Sequence, residues 1–147
     1  MRSDLRKISR IAVIALASAV FFVNARAADM TSGLIAQGDQ QWAASNLDDA
    51  QKIFERAVNA DPRSVEAHMK LGGLQLSRND FSGSIQTYQH VIGLDPKNVR
   101  AWMGLGISYM HTGKNELSRA AFDEAVRIEP ARKAQLDPVM AKLKVAD

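Results

Sequence analysis

Residues 99–132 read VRAWMGLGISYMHTGKNELSRAAFDEAVRIEPAR, and this stretch decides the fold. Trp102, Leu105, Gly106 and Tyr109 stand at i, i+3, i+4 and i+7, one face of an amphipathic helix. His111-Thr112-Gly113-Lys114-Asn115 breaks that pattern with turn-prone residues. Ser118, Phe122, Ala125 and Val126 then mark a second helical face, and Pro130 closes the unit. The reading is two short helices joined by a tight turn, an αα-hairpin. Each helix must bury one face on its partner and another on a neighbouring hairpin, because short isolated helices are marginal in water.

Moving outward, the closing phrase recurs at a fixed interval. Ala60-Asp61-Pro62, Leu94-Asp95-Pro96 and Ile128-Glu129-Pro130 are 34 residues apart each time. A constant period of this size means stacked copies of one supersecondary unit. The chain therefore divides into hairpins at 31–64, 65–98 and 99–132, with a tail at 133–147.

These residues resemble the tetratricopeptide repeat. The pattern is Trp, Leu, Gly and Tyr on the first helix, then a small residue, an aromatic and Ala on the second, then Pro. Trp102, Leu105, Gly106, Tyr109, Ser118, Phe122, Ala125 and Pro130 fill all eight places. The same places hold His68, Leu71, Gly72, Gln75, Ser84, Tyr88, Val91 and Pro96 in the second copy. In the first they hold Leu34, Gln37, Gly38, Gln41, Ala50, Phe54, Ala57 and Pro62. The resemblance implies an all-α fold of three hairpins in a right-handed superhelical stack with a C-terminal capping helix.

Gly38, Gly72 and Gly106 lie where a side chain would push two helices apart, which offsets the roughly 1 kcal/mol that Gly loses to Ala inside a helix. Ser64 and Asn98 precede first helices and read as N-caps. Gln37 and Gln41 replace Leu and Tyr in the first copy, as fits a terminal repeat with a wet outer face. In the tail, Leu136, Val139, Met140 and Leu143 repeat the helical spacing. Asp137-Pro138 reads as an N-cap and first helical residue, giving a capping helix over 137–145. One longer helix from about residue 131, kinked at Pro138, is the alternative.

Residues 1–27 have a different composition. Arg2, Arg6, Lys7 and Arg10 precede a 13-residue apolar run, Ile11 to Val23, and then Asn24-Ala25-Arg26-Ala27. That is the layout of a secretory signal peptide cleaved after Ala27. The run is short of the roughly 20 residues that a spanning helix needs, although a retained N-terminal anchor is the alternative. The expected location is periplasmic or secreted.

The whole chain carries 19 basic and 16 acidic residues, a formal +3. Removing residues 1–27, with five basic residues and one acid, leaves 14 and 15. The sequence pI of about 9.4 thus belongs mostly to that segment, and the repeats show no basic patch for nucleic acid. Cysteine is absent, which removes thiol chemistry and Cys-held metals.

Other chemistry is equally thin. His68 occupies the place of Trp102, His90 lies on a second helix and His111 opens a turn. None has the paired spacing of a helical zinc site. Asp48-Asp49 at a helix start fit its N-terminal dipole without catalysis. Soft copper ligation by Met69, Met103, Met110, His68 and His111 is disfavoured, since equivalent positions on packed helices lie about 10 Å apart and only an adjacent-turn pair such as Met103 and Met110 would be close enough. No cofactor, metal or catalytic residue is expected.

By the resemblance, first helices line the concave face of the stack, at the second, fifth, ninth and twelfth places of each copy. Those are Ser32, Ile35, Asp39 and Trp42; Glu66, Met69, Gly73 and Leu76; and Arg100, Met103, Ile107 and Met110. Two rows are apolar throughout: Ile35, Met69, Met103 and Trp42, Leu76, Met110. If exposed, such rows mark an interaction site, and Met suits adaptable apolar recognition. Coverage by the C-terminal segment, burial on a second copy in a homo-oligomer, and plain internal packing are the alternatives. The resemblance implies an adaptor for a protein or peptide partner. With a signal peptide, such proteins serve pilus or secretion assembly, cytochrome maturation or polysaccharide export.

Overall fold

The computed structural model describes residues 26 and 28–143. The signal-peptide reading falls almost wholly on residues outside that range. Among the described residues the chain is helical, without strands: α1 (28–43), α2 (Leu47–Ala60), α3 (Val65–Ser77), α4 (Phe81–Leu94), α5 (Val99–His111), α6 (Asn115–Ile128) and α7 (Lys133–Met140). No helix is long and apolar enough to cross a membrane. Consecutive helices pack on one another, and α3 also touches α5, so the hairpins stack in chain order.

Both kinds of loop repeat in register. Within hairpins, the N–H groups of Asn46, Asp80 and Lys114 donate to the carbonyls of Gln41, Gln75 and Tyr109, each at 2.9 Å. Those of Ser45, Asn79 and Gly113 donate to Trp42, Leu76 and Met110. This paired closure is the Schellman motif, which requires a left-handed residue after the helix. Ser45, Asn79 and Gly113 take it, with φ of 63°, 62° and 72°. Between hairpins, Ser64 Oγ accepts from the Ala67 N–H and Asn98 Oδ1 from that of Ala101, so both expected caps form.

The core consists of the second-helix aromatics set against first-helix glycines. Phe54 and Phe122 are 0% and 1% exposed. A Cβ built on Gly106 would lie 2.6 Å from the Phe122 ring, and one on Gly38 would overlap Phe54. Burying such a ring contributes about 1.5–3 kcal/mol, which outweighs the helix penalty of each glycine. The buried serine hydroxyls are satisfied locally: Ser84 pairs with Ser108 at 2.8 Å, and Ser118 donates to the Gly106 carbonyl.

The tail departs from the expected 137–145 helix. A 3-10 turn, Pro130–Arg132, runs directly into α7, which starts at Lys133 and holds Pro138 inside it. Asp137 is therefore not an N-cap; its carboxylate takes the Lys133 ammonium at 2.7 Å, one turn back. Pro130 starts the turn early, and a proline near the helix C-terminus sacrifices one hydrogen bond in an element held by packing. Leu136, Met140 and Leu143 are buried against Phe122 and Ala125. Arg119 Nη2 donates to the Met140 carbonyl at 3.0 Å and ties down the last turn.

Candidate functional site

The first helices present an open groove of about 680 Å3 that runs from α1 across α3 to α5. Its lining comprises Trp42 from α1; Val65, Glu66, Met69, Lys70 and Gly73 from α3; Tyr88 from α4; and Asn98 and Arg100 at the start of α5. The N-caps of α3 and α5 set where Glu66 and Arg100 emerge, two residues into equivalent helices.

Gly73 shapes the floor. A Cβ there would stand 3.3 Å from the Trp42 indole and 3.8 Å from the Tyr88 hydroxyl. The missing side chain lets the indole lie across α3. Trp42 is braced from below by Phe54, edge to face at 6.1 Å between centroids. Lys70 is held by Asp39, Nζ to Oδ2 at 2.6 Å, so that ion pair bridges α1 and α3 at the groove wall. Burial raises the Tyr88 phenol above its ordinary pKa, with nearby Arg100 opposing the shift, so it is a neutral hydrogen-bond donor at physiological pH.

Of the expected lining residues, the structure gathers Trp42, Glu66, Met69, Gly73 and Arg100 around this groove, with Asp39 joined through Lys70. The two apolar rows are not continuous open stripes. Ile35 is 5% exposed, enclosed by Leu34, Ala57 and Ala67. Leu76 packs against the core around Tyr88 and Leu105. Met103, Ile107 and Met110 pack against the cluster containing Leu136, Met140 and Leu143. All three stay half-buried, as Met69 does. Ser32 is exposed, and its hydroxyl donates to the Asp29 carbonyl.

Sequence reasoning missed Lys70 and Tyr88. Tyr88 belongs to a second helix, outside the lining rule. Its signal was Gly104, which stands where the other copies have Ala36 and Lys70, because a Cβ at Gly104 would overlap the Tyr88 ring.

The histidines are structural. His68 Nε2 lies 3.1 Å from the Pro62 carbonyl, the counterpart of Trp102 Nε1 donating to Pro96 at 2.9 Å. His90 is exposed but also reaches Pro62, at 3.2 Å, and packs on His68 at 4.2 Å between centroids. Burial holds His68 below its ordinary pKa, and neighbouring His90 adds to the shift while the Pro62 hydrogen bond and Asp61 oppose it. His111 stacks flat on Phe81 at 4.5 Å.

The sequence profile of the tetratricopeptide repeat family matches residues 35–98 and 75–133. The chain belongs to the tetratricopeptide repeat family. No curated protein matches it in sequence. Among solved structures, it is similar to the Arabidopsis OM64 TPR domain at 16% identity, covering 79% of this chain and 95% of that one, with a TM-score of 0.73. The second TPR domain of human RPAP3, solved with the HSP70 peptide SGPTIEEVD, gives 17% identity, coverage of 82% and 99%, and a TM-score of 0.75. The Yersinia enterocolitica type III secretion translocator chaperone SycD gives 18%, 78% and 89%, and 0.69. At these identities the likeness is one of fold, and this tetratricopeptide repeat chain takes its site from its own residues.

Proposed function

We propose that this chain is a non-enzymatic adaptor that binds a peptide segment of a partner protein in the groove between α1, α3 and α5. The observation that carries this is the groove itself. Its floor exposes parts of Trp42 and Met69, whereas Ile35 is closed off in the core. Partly exposed large apolar side chains grouped in one concave site mark recognition surfaces. The RPAP3 domain solved with a peptide supports the reading, since a stack of the same shape takes a peptide there.

The setting we propose is the cell envelope, in an assembly such as a pilus or secretion apparatus, cytochrome maturation or polysaccharide export. The support is the composition of residues 1–27, with Arg2, Arg6, Lys7 and Arg10 ahead of Ile11 to Val23 and a small-residue site at Ala27.

The test is affinity capture from the native envelope with the full chain, and with Met69→Glu as the control. Met69 lines the groove, whereas Met103 packs against the cluster of Phe122, Ala125 and Leu136, which its substitution would disturb. Partners retained by the native chain and lost by a folded Met69→Glu variant support the groove. Recovery of the chain itself alone would instead favour a self-associating protein.

A further inference from the structure

Phe54, Tyr88 and Phe122 occupy the same place in the three copies, 34 residues apart. The two phenylalanines end against glycines of their own hairpins and are sealed from solvent. Tyr88 differs in two respects. Its ring presses on Gly104 of the next hairpin, and its hydroxyl emerges beside Gly73 at the groove floor. The residue is 4% exposed, yet no described residue accepts its hydrogen bond. That hydroxyl remains open to the groove, where an acceptor can reach it. Phenylalanine would fill the same place without offering a donor, as it does in the other two copies.

We infer that Tyr88 is the specificity-determining donor of the groove: its O–H holds an acceptor oxygen of an extended peptide whose apolar side chain lies on Trp42 and Met69. This rests on the groove reading above. An extended occupant follows from the donor. A helix has satisfied its own carbonyls along most of its length, whereas an extended chain offers one free carbonyl about every 3.3 Å. The free charges of the rim point the same way. Glu66 and Arg100 stand at equivalent places with opposite sign, and Lys70 is neutralised by Asp39. No net charge selects the ligand, so an apolar anchor with an adjacent acceptor defines it.

The probe is a random dodecapeptide library displayed on phage and selected on the full chain. An enriched peptide is then synthesised and titrated against the native chain, Tyr88→Phe and Met69→Glu. Loss of roughly fivefold in affinity for Tyr88→Phe, about one neutral hydrogen bond, with an unchanged thermal midpoint is the expected result. Binding abolished by Met69→Glu but unaltered by Tyr88→Phe overturns the role of Tyr88 and leaves the groove standing. A weakening that accompanies a lower midpoint also overturns it, since the hydroxyl then serves the fold. Peptides insensitive to both changes, or no enrichment, overturn the groove and the inference together.

Discussion

The ring of Tyr88 packs against the backbone of Gly104 on the next hairpin so closely that a Cβ there would overlap it. The same ring stands 3.1 Å from where a Cβ of Gly72 would be. Tyr88 is thus wedged between α3 and α5 and sets their approach, and these two helices form the walls of the groove. Gly104→Ala should destabilise the chain by about 1–3 kcal/mol, the usual cost of overpacking a tight core. Because one contact is responsible, that loss should shrink sharply in a Tyr88→Ala background. A double-mutant cycle read by urea unfolding measures the coupling.

Left-handed turn residues give a second expectation. Ser45, Asn79 and Gly113 perform one task, and only Gly113 does so without steric cost. Ser45→Gly should stabilise the chain by about 1 kcal/mol, and Asn79→Gly by less, since Asn tolerates this conformation better. Gly113→Ala should destabilise by a similar amount. Thermal midpoints of the three variants check the order.

His68 makes stability depend on pH. Its ordinary pKa is 6.5, and the folded value is lower, chiefly because it is buried. The unfolded chain therefore takes up a proton first as pH falls. The stability contributed by neutral His68 is present above pH 6.5 and is lost as pH drops through the folded pKa. Denaturant midpoints between pH 7.5 and pH 5 should fall, and the fall should be smaller in His68→Gln, which keeps a donor but does not titrate.

The capping role of α7 predicts a large effect from a short element. Leu136 is 3% exposed and belongs to the cluster against which Met103, Ile107 and Met110 pack. Leu136→Ala should cost about 2–5 kcal/mol. Binding of a hydrophobic dye should rise in the variant as those three side chains become accessible.

Much of this was legible in the sequence, for a physical reason. A repeat must satisfy the same contacts in every copy, so Pro62, Pro96 and Pro130, or Phe54, Tyr88 and Phe122, announce their roles by interval alone. The caps at Ser64 and Asn98 depend on neighbouring backbone and were equally readable. The groove was readable only in part. A lining position says that a side chain faces the concave side, but what lies over it is a tertiary matter. Thus Ile35, at a lining position, belongs to the core, and Met103, Ile107 and Met110 pack in part against the cluster that includes Phe122 and Leu136. The mistaken start of α7 has a local cause: Asp137-Pro138 carries a start signal, but the 3-10 turn at Pro130 had already begun the helix.

The most direct test of the groove is a methyl spectrum of the full chain with its six methionines carbon-labelled, recorded with and without a peptide selected for binding. Met69 lines the groove, whereas Met103 and Met110 pack against the cluster that contains the buried Met140. The Met69 methyl should shift on titration while those of Met103, Met110 and Met140 hold their positions. A stationary Met69, with movement confined to the methionines around α7, would contradict the assignment.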